Sequence, residues 1–120
     1  MAYDRNNVFA RILRGEIPCN KVYEDEHVLA FRDIRPQAPT HILVIPRGEY
    51  VSLDDFAETA SAAEMAALVR ALGRVARAAG VAESGYRILA NAGADARQEV
   101  PHFHVHIFGG RDLGPMLPRP

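Results

Sequence analysis

The chain has 120 residues, a formal net charge of −1, 48 % hydrophobic residues and one cysteine. This is the length of one domain, and its balanced composition excludes a disordered chain and a broadly basic face for gripping nucleic acid. It also excludes an intrachain disulfide, and no apolar run nears the ~18 residues of a membrane span, so a cytoplasmic protein without a membrane partner is expected.

In chain order, residues 7–14 (NVFARILR) place Val8, Phe9, Ile12 and Leu13 at helical spacing, with Asn6 or Asn7 as N-cap and Gly15 and Pro18 as stops. KVYE (21–24) and VLAFRD (28–33) read as short strands around an EDEH turn. IRPQAPT is a Pro-rich connection, extended before each proline, and HILVIP (41–46) has the compact apolar run of a buried central strand. Ser61 and Glu64 form a capping box for a long helix, 62–79, in which Met65, Leu68, Leu72, Val75 and Ala79 recur on one face. Arg70, Arg74 and Arg77 fall mainly on its other faces, Gly80 ends it, and its many alanines allow a sheet or a second copy to approach closely. YRILAN (86–91) is a strand, AGADARQEV a polar loop, and HFHVHIF (102–108) the last strand. The expected fold is α+β, an antiparallel sheet covered on one face by the long helix, in a single domain over 1–120 with irregular ends at 1–6 and 112–120.

The last strand carries three of the five histidines at alternate positions. Alternation puts His102, His104 and His106 on one face and Phe103, Val105 and Ile107 on the other, facing the core. Three readings compete: a metal site, a catalytic site and an ordinary strand. Alternate residues lie ~6.5–7 Å apart on a strand, so the outer two histidines are ~13 Å apart and cannot meet on one ion without a strong bend. At most two could share a metal, with His41, Cys19 or scattered carboxylates completing the set. Three imidazoles in register would repel one another once protonated, which disfavours an ordinary strand. The catalytic reading fits best. A strand aims side chains rigidly, a neutral imidazole attacks phosphorus or carbonyl carbon, and its neighbours bind charge or move protons. His104, with a neighbour on each side, is then the nucleophile. Donors for anionic oxygens come from backbone N–H groups around Arg97–Val100 and from the side-chain amides of Gln98 and Asn91.

HFHVHIF resembles the His-φ-His-φ-His-φ-φ signature of the histidine triad superfamily, φ being hydrophobic. FARILRGEIP (9–18), DIRPQAPTHILVIP (33–46) and YRILAN (86–91) resemble its Hint branch, the nucleoside phosphoramidate hydrolases, and the likeness runs in order from about Val8 to Arg111. The resemblance implies a five-stranded antiparallel sheet extended across a homodimer, with the long helices at the interface. It implies that His104 attacks the α-phosphorus of a purine nucleoside 5′-phosphoramidate, that a nucleotidyl-histidine forms, and that water releases the monophosphate without a metal or other cofactor. By the same resemblance His102 and His106 bind phosphate and handle protons, and His41 is the fourth histidine of the site. Asp33 binds the ribose hydroxyls. Ile34, Phe9 and Ile17 wall the base, and Asn91, Arg97, Gln98, Glu99 and Val100 line the phosphate. The chain departs from the pattern at four places. Asn7 and Ala10 stand where some bacterial relatives carry a zinc-binding Cys-x-x-Cys. Glu99 replaces the serine of the animal proteins, Arg97 sits in a stretch usually richer in glycine, and the tail lacks their tryptophan-containing end. Two other activities fit the same residues: a nucleotide-binding or interaction module with incidental hydrolysis, and a dinucleoside polyphosphate hydrolase.

Overall fold

The computed structural model describes residues 2–118. Its elements in order are α1 (Val8–Leu13), β1 (Lys21–Glu24), β2 (Val28–Arg32), β3 (Thr40–Pro46), α2 (Leu53–Thr59), α3 (Ala62–Ala78), β4 (Tyr86–Leu89) and β5 (Val105–Gly109). The strands form one five-stranded antiparallel sheet of order β1-β2-β3-β5-β4, which makes the fold α+β. Of the ends expected to be irregular, residues 1, 119 and 120 lie outside the described residues, and the described parts of 1–6 and 112–118 carry no helix or strand. Among the described residues no helix is long and apolar enough to cross a membrane.

The core has two layers, one on each face of the sheet. On the first, Val28, Ala30, Ile42, Val44, Val105 and Ile107 pack with Leu68, Ala71 and Val75 of α3, Phe56 of α2 and Phe103. On the second, Leu29, Phe31, Leu43 and Ile45 pack against Phe9 of α1. The long helix α3 covers one face as expected, and α1 closes the second face over β2 and β3. The cause is legible in those strands, whose near-continuous apolar runs demand burial on both sides. Asn7 seats α1 there by accepting a hydrogen bond from the Ala10 N–H at 2.9 Å.

Three further elements differ from expectation, the first being the strand expected over 86–91, which ends at Leu89 and leaves Ala90 and Asn91 beyond it. Helix α2 was not foreseen; it starts where the Asp55 carboxylate accepts the N–H groups of Val51 and Ser52, both at 2.7 Å, and it buries Phe56. The last strand begins at Val105, not at residue 102. Val44 pairs with Val105, but the next carbonyl on that side, Pro46, accepts from the His102 ring, and the Phe103 N–H donates to Tyr50 at 2.7 Å. The chain therefore leaves the ladder at the first two histidines and holds them by side-chain bonds.

Candidate active site

The second face carries the histidines. His41 and Leu43 of β3 lie beside Phe108 and His106 of β5, so the ladder fixes His41 and His106 as diagonal neighbours. His104 follows in the bend, 5.1 Å from His106 between ring centroids. Phe9 meets His104 edge-on at 4.9 Å and His102 at 6.3 Å. His41, His102 and His104 are all buried, at 2 %, 0 % and 7 % exposure.

The hydrogen bonds determine which nitrogen of each ring carries the proton, because a carbonyl can only accept and a backbone N–H can only donate. His104 Nδ1 lies 2.6 Å from the His102 carbonyl, so Nδ1 holds the proton and Nε2 is a free lone pair. His41 Nδ1 accepts the Gln37 N–H at 3.1 Å, so its proton sits on Nε2, 2.9 Å from His106 Nδ1. His106 Nδ1 must then accept, which leaves Nε2–H of His106 as a donor. His102 Nε2 donates to the Pro46 carbonyl at 2.8 Å, and its Nδ1 meets the Tyr3 hydroxyl at 2.5 Å. Both ring nitrogens of His102 are thus taken within the protein, and its ring offers nothing to a phosphate in this arrangement.

All four rings favour the neutral form. Burial pulls His102 and His106 down to about 4, the latter helped by the neighbouring His104 and His41. Burial also lowers His104, against the His102 carbonyl and the charges of Asp33 and Glu99. His41 is lowered by burial against Asp33. At neutral pH the site therefore presents an uncharged imidazole lone pair, His104 Nε2, and a neutral donor, His106 Nε2–H.

Asp33, His41 and His106 come close enough for one ligand atom each to surround a single ion. The tautomers do not suit that role. His41 Nε2 carries a proton and points it at His106 Nδ1 and at Asp33 Oδ2, the latter 3.5 Å away. A metal there would have to move that proton to Nδ1, against the Gln37 N–H.

The remaining expected residues fall in several places. Asp33 is anchored by its own N–H to the His41 carbonyl and accepts the Arg35 N–H at 2.8 Å, keeping Oδ2 toward the histidines. Ile34 beside it is 91 % exposed. Ile17 lines a cavity of about 260 Å³ with Ile12, Leu13, Cys19 and Leu29, to which none of the histidines contributes. Asn91 lies two residues beyond β4, where the register that pairs Leu89 with His106 would set it opposite His104. In the loop, Gln98 donates its side-chain amide to the Val51 carbonyl at 2.6 Å and the Val100 carbonyl at 3.0 Å and accepts the Gly93 N–H. The N–H groups of Arg97 and Gln98 donate to Ala94 and Gly93. Gln98 is thus the loop's brace, and within the Arg97–Val100 stretch the N–H groups of Glu99 and Val100 have no protein acceptor among the described residues. Val100 packs on the second core layer, and Glu99 is exposed. Tyr3 and Pro46 are the site residues that the sequence reading missed. Pro46 acts through its backbone, and Tyr3 lies 99 positions from its partner, so no local pattern marks either.

Arg97 has φ 58°, the left-handed region that favours glycine. This is the conformation that a glycine-rich stretch serves at lower steric cost, and nothing in the structure explains the arginine. Arg97→Gly is expected to stabilise the fold by about 0.5–1 kcal/mol, read as a higher urea midpoint. A lower midpoint would mean that the arginine side chain makes a compensating interaction.

A family model for the HIT domain matches residues 14–113. An uncharacterised HIT-like protein of Azospirillum brasilense is 70 % identical over 115 residues, covering 96 % of this chain and 94 % of its own. The purine nucleoside phosphoramidase of Escherichia coli K12 is 44 % identical, with 92 % of each chain covered. Among solved structures, a HIT family hydrolase from Clostridium thermocellum superposes with a TM-score of 0.86 at 39 % identity, over 96 % of this chain and 99 % of that one. The histidine-bearing bend, the five-stranded sheet beneath it and these four matches agree: the chain belongs to the HIT-domain family.

Proposed function

We propose that the protein hydrolyses purine nucleoside 5′-phosphoramidates to the nucleoside monophosphate and an amine, through a covalent nucleotide on His104. The observation that carries this reading is the free lone pair on His104 Nε2, fixed by the Nδ1–H bond to the His102 carbonyl. Support for the substrate class comes from the identity to the E. coli enzyme.

In the first step His104 Nε2 bonds to phosphorus and the P–N bond breaks; the amine leaves with a proton from solvent. The resulting imidazolium keeps its Nδ1–H on the His102 carbonyl, where its charge is stabilised. His106 Nε2–H and the N–H groups of Glu99 and Val100 bond the non-bridging oxygens. Asp33 takes the ribose hydroxyls, and Asn91 takes the phosphate or the leaving group. Phe9, edge-on to His104, and Ile34 supply apolar wall for the base, whereas Ile17, in a cavity apart from the histidines, does not. Water then attacks phosphorus, the P–Nε2 bond breaks and the monophosphate departs. His41 supports the His106 tautomer from behind and needs no contact with substrate. Purified protein given an adenosine 5′-phosphoramidate should release AMP at a kcat in the ordinary range of ~1–10³ s⁻¹. Tight AMP binding with turnover far below that range would favour an interaction module instead.

We also infer a homodimer across the free edge of β4, where Tyr86 and Ile88 are exposed, with α3 and its exposed Val69 alongside. Light scattering should give twice the chain mass, and a lysine at Ile88 should give the single mass.

A further inference from the structure

The site contains one contact that the proposed chemistry does not use. Tyr3 stands outside the span matched by the HIT-domain model, yet its hydroxyl lies 2.5 Å from Nδ1 of the fully buried His102 and its ring meets that imidazole edge-on at 5.6 Å. The direction of the bond follows from the other side of the ring. His102 Nε2 must donate to the Pro46 carbonyl, so a neutral His102 has its lone pair on Nδ1 and the phenol donates to it. Burial raises the Tyr3 hydroxyl above its ordinary range and keeps it protonated for this task.

His102 needs such a tether. It precedes β5, so no ladder bond holds its backbone; apart from its N–H to the Val100 carbonyl at 2.8 Å, the ring bonds to Pro46 and Tyr3 fix it. Its carbonyl is the acceptor that fixes the tautomer and direction of His104. The arm bearing Tyr3 is itself anchored: the Asn7 amide donates to the Asp4 carbonyl at 2.7 Å, Arg14 donates to the Arg5 carbonyl at 2.8 Å, and Arg5 pairs with Glu49 at 3.1 Å.

We propose that Tyr3 is a positioning residue for the reaction: its hydroxyl locks the His102 ring, and the His102 carbonyl thereby holds His104 with Nε2 aimed at phosphorus. This rests on His104 being the nucleophile, so the test needs a readout independent of turnover. Tyr3→Phe keeps the ring and removes the hydroxyl. It should lower kcat about tenfold with KM within about twofold, because aim is lost and binding is not. In ring-nitrogen NMR, His104 should change from a single Nδ1–H tautomer to a mixture. Tyr3→Ala should show the same loss of kcat, and added phenol should restore part of it where toluene does not, which separates the hydrogen bond from packing. An unchanged kcat in an active enzyme, an unchanged His104 spectrum in Tyr3→Phe, or equal rescue by toluene overturns the proposal. If the wild-type chain releases no AMP, the phosphoramidase reading fails on its own, and the His104 spectrum still decides the role of Tyr3.

Discussion

His104→Asn is expected to abolish hydrolysis of an adenosine 5′-phosphoramidate, lowering kcat by about 10⁴-fold or more while leaving AMP affinity within an order of magnitude. Asparagine is the informative replacement. Its amide N–H can keep the bond that His104 Nδ1 makes to the His102 carbonyl at 2.6 Å, so the bend before β5 keeps its donor. What it lacks is a basic lone pair at the position of Nε2. Alanine would remove both and leave a buried carbonyl unpaired, at about 1–3 kcal/mol, which would mix loss of chemistry with loss of structure. By contrast His106→Gln, which keeps an N–H donor, should retain a measurable fraction of the rate. A His104→Asn enzyme with near-native kcat would remove His104 from the chemistry.

The second large effect is on stability. His102 has its proton affinity pulled from the ordinary histidine value to about 4, principally by burial. The unfolded chain, with histidines near 6.5, binds more protons than the folded one as pH falls from about 6.5 toward 4, so stability drops with falling pH in that window. It is flat above about 7, where both states are neutral. For His102 alone the loss at pH 5 is about 2 kcal/mol. His106 moves in the same direction for the same reason, reinforced by the neighbouring His104 and His41, so the total exceeds that of His102. Urea unfolding at pH 7.5 and pH 5 should show this difference in the free energy of unfolding. The lowered carboxyls, Asp25, Asp55 and Glu64 among them, begin to lose their contribution only at lower pH, so the interval reports on the histidines. Equal stability at the two pH values would mean that these rings are hydrated and able to charge in place.

The fold was legible in the sequence where pattern is local. The Ser61–Glu64 box places the start of α3, and the apolar run from Ile42 to Ile45 marks a central strand. Helix α2 has a weaker mark, a serine followed three residues later by Asp55 rather than glutamate, and a single buried anchor in Phe56. The alternation of histidines and apolar residues correctly places Phe103, Val105 and Ile107 in the core. It does not show that the first two histidines stand outside the ladder, because that follows from the Pro46 carbonyl and the Tyr50 backbone, about 50 residues away. For the same reason three equivalent-looking rings take different roles. His104 is given a free nitrogen by a carbonyl two residues back, His106 is made a donor by His41, and His102 is closed off by Tyr3 and Pro46. Spacing gives the face on which a histidine stands. Long-range partners determine which nitrogen is left to react.

In this mechanism His104 Nε2 forms a covalent bond to phosphorus. This step is tested most directly by mixing the protein with an adenosine 5′-phosphoramidate, quenching within a turnover and mapping the protein by mass spectrometry. A peptide containing His104 should appear that is heavier by one AMP less water, labile to acid, and absent from His104→Asn. Rapid AMP release with no such peptide at any quench time, or an adduct on His102 or His106 in its place, would contradict the mechanism.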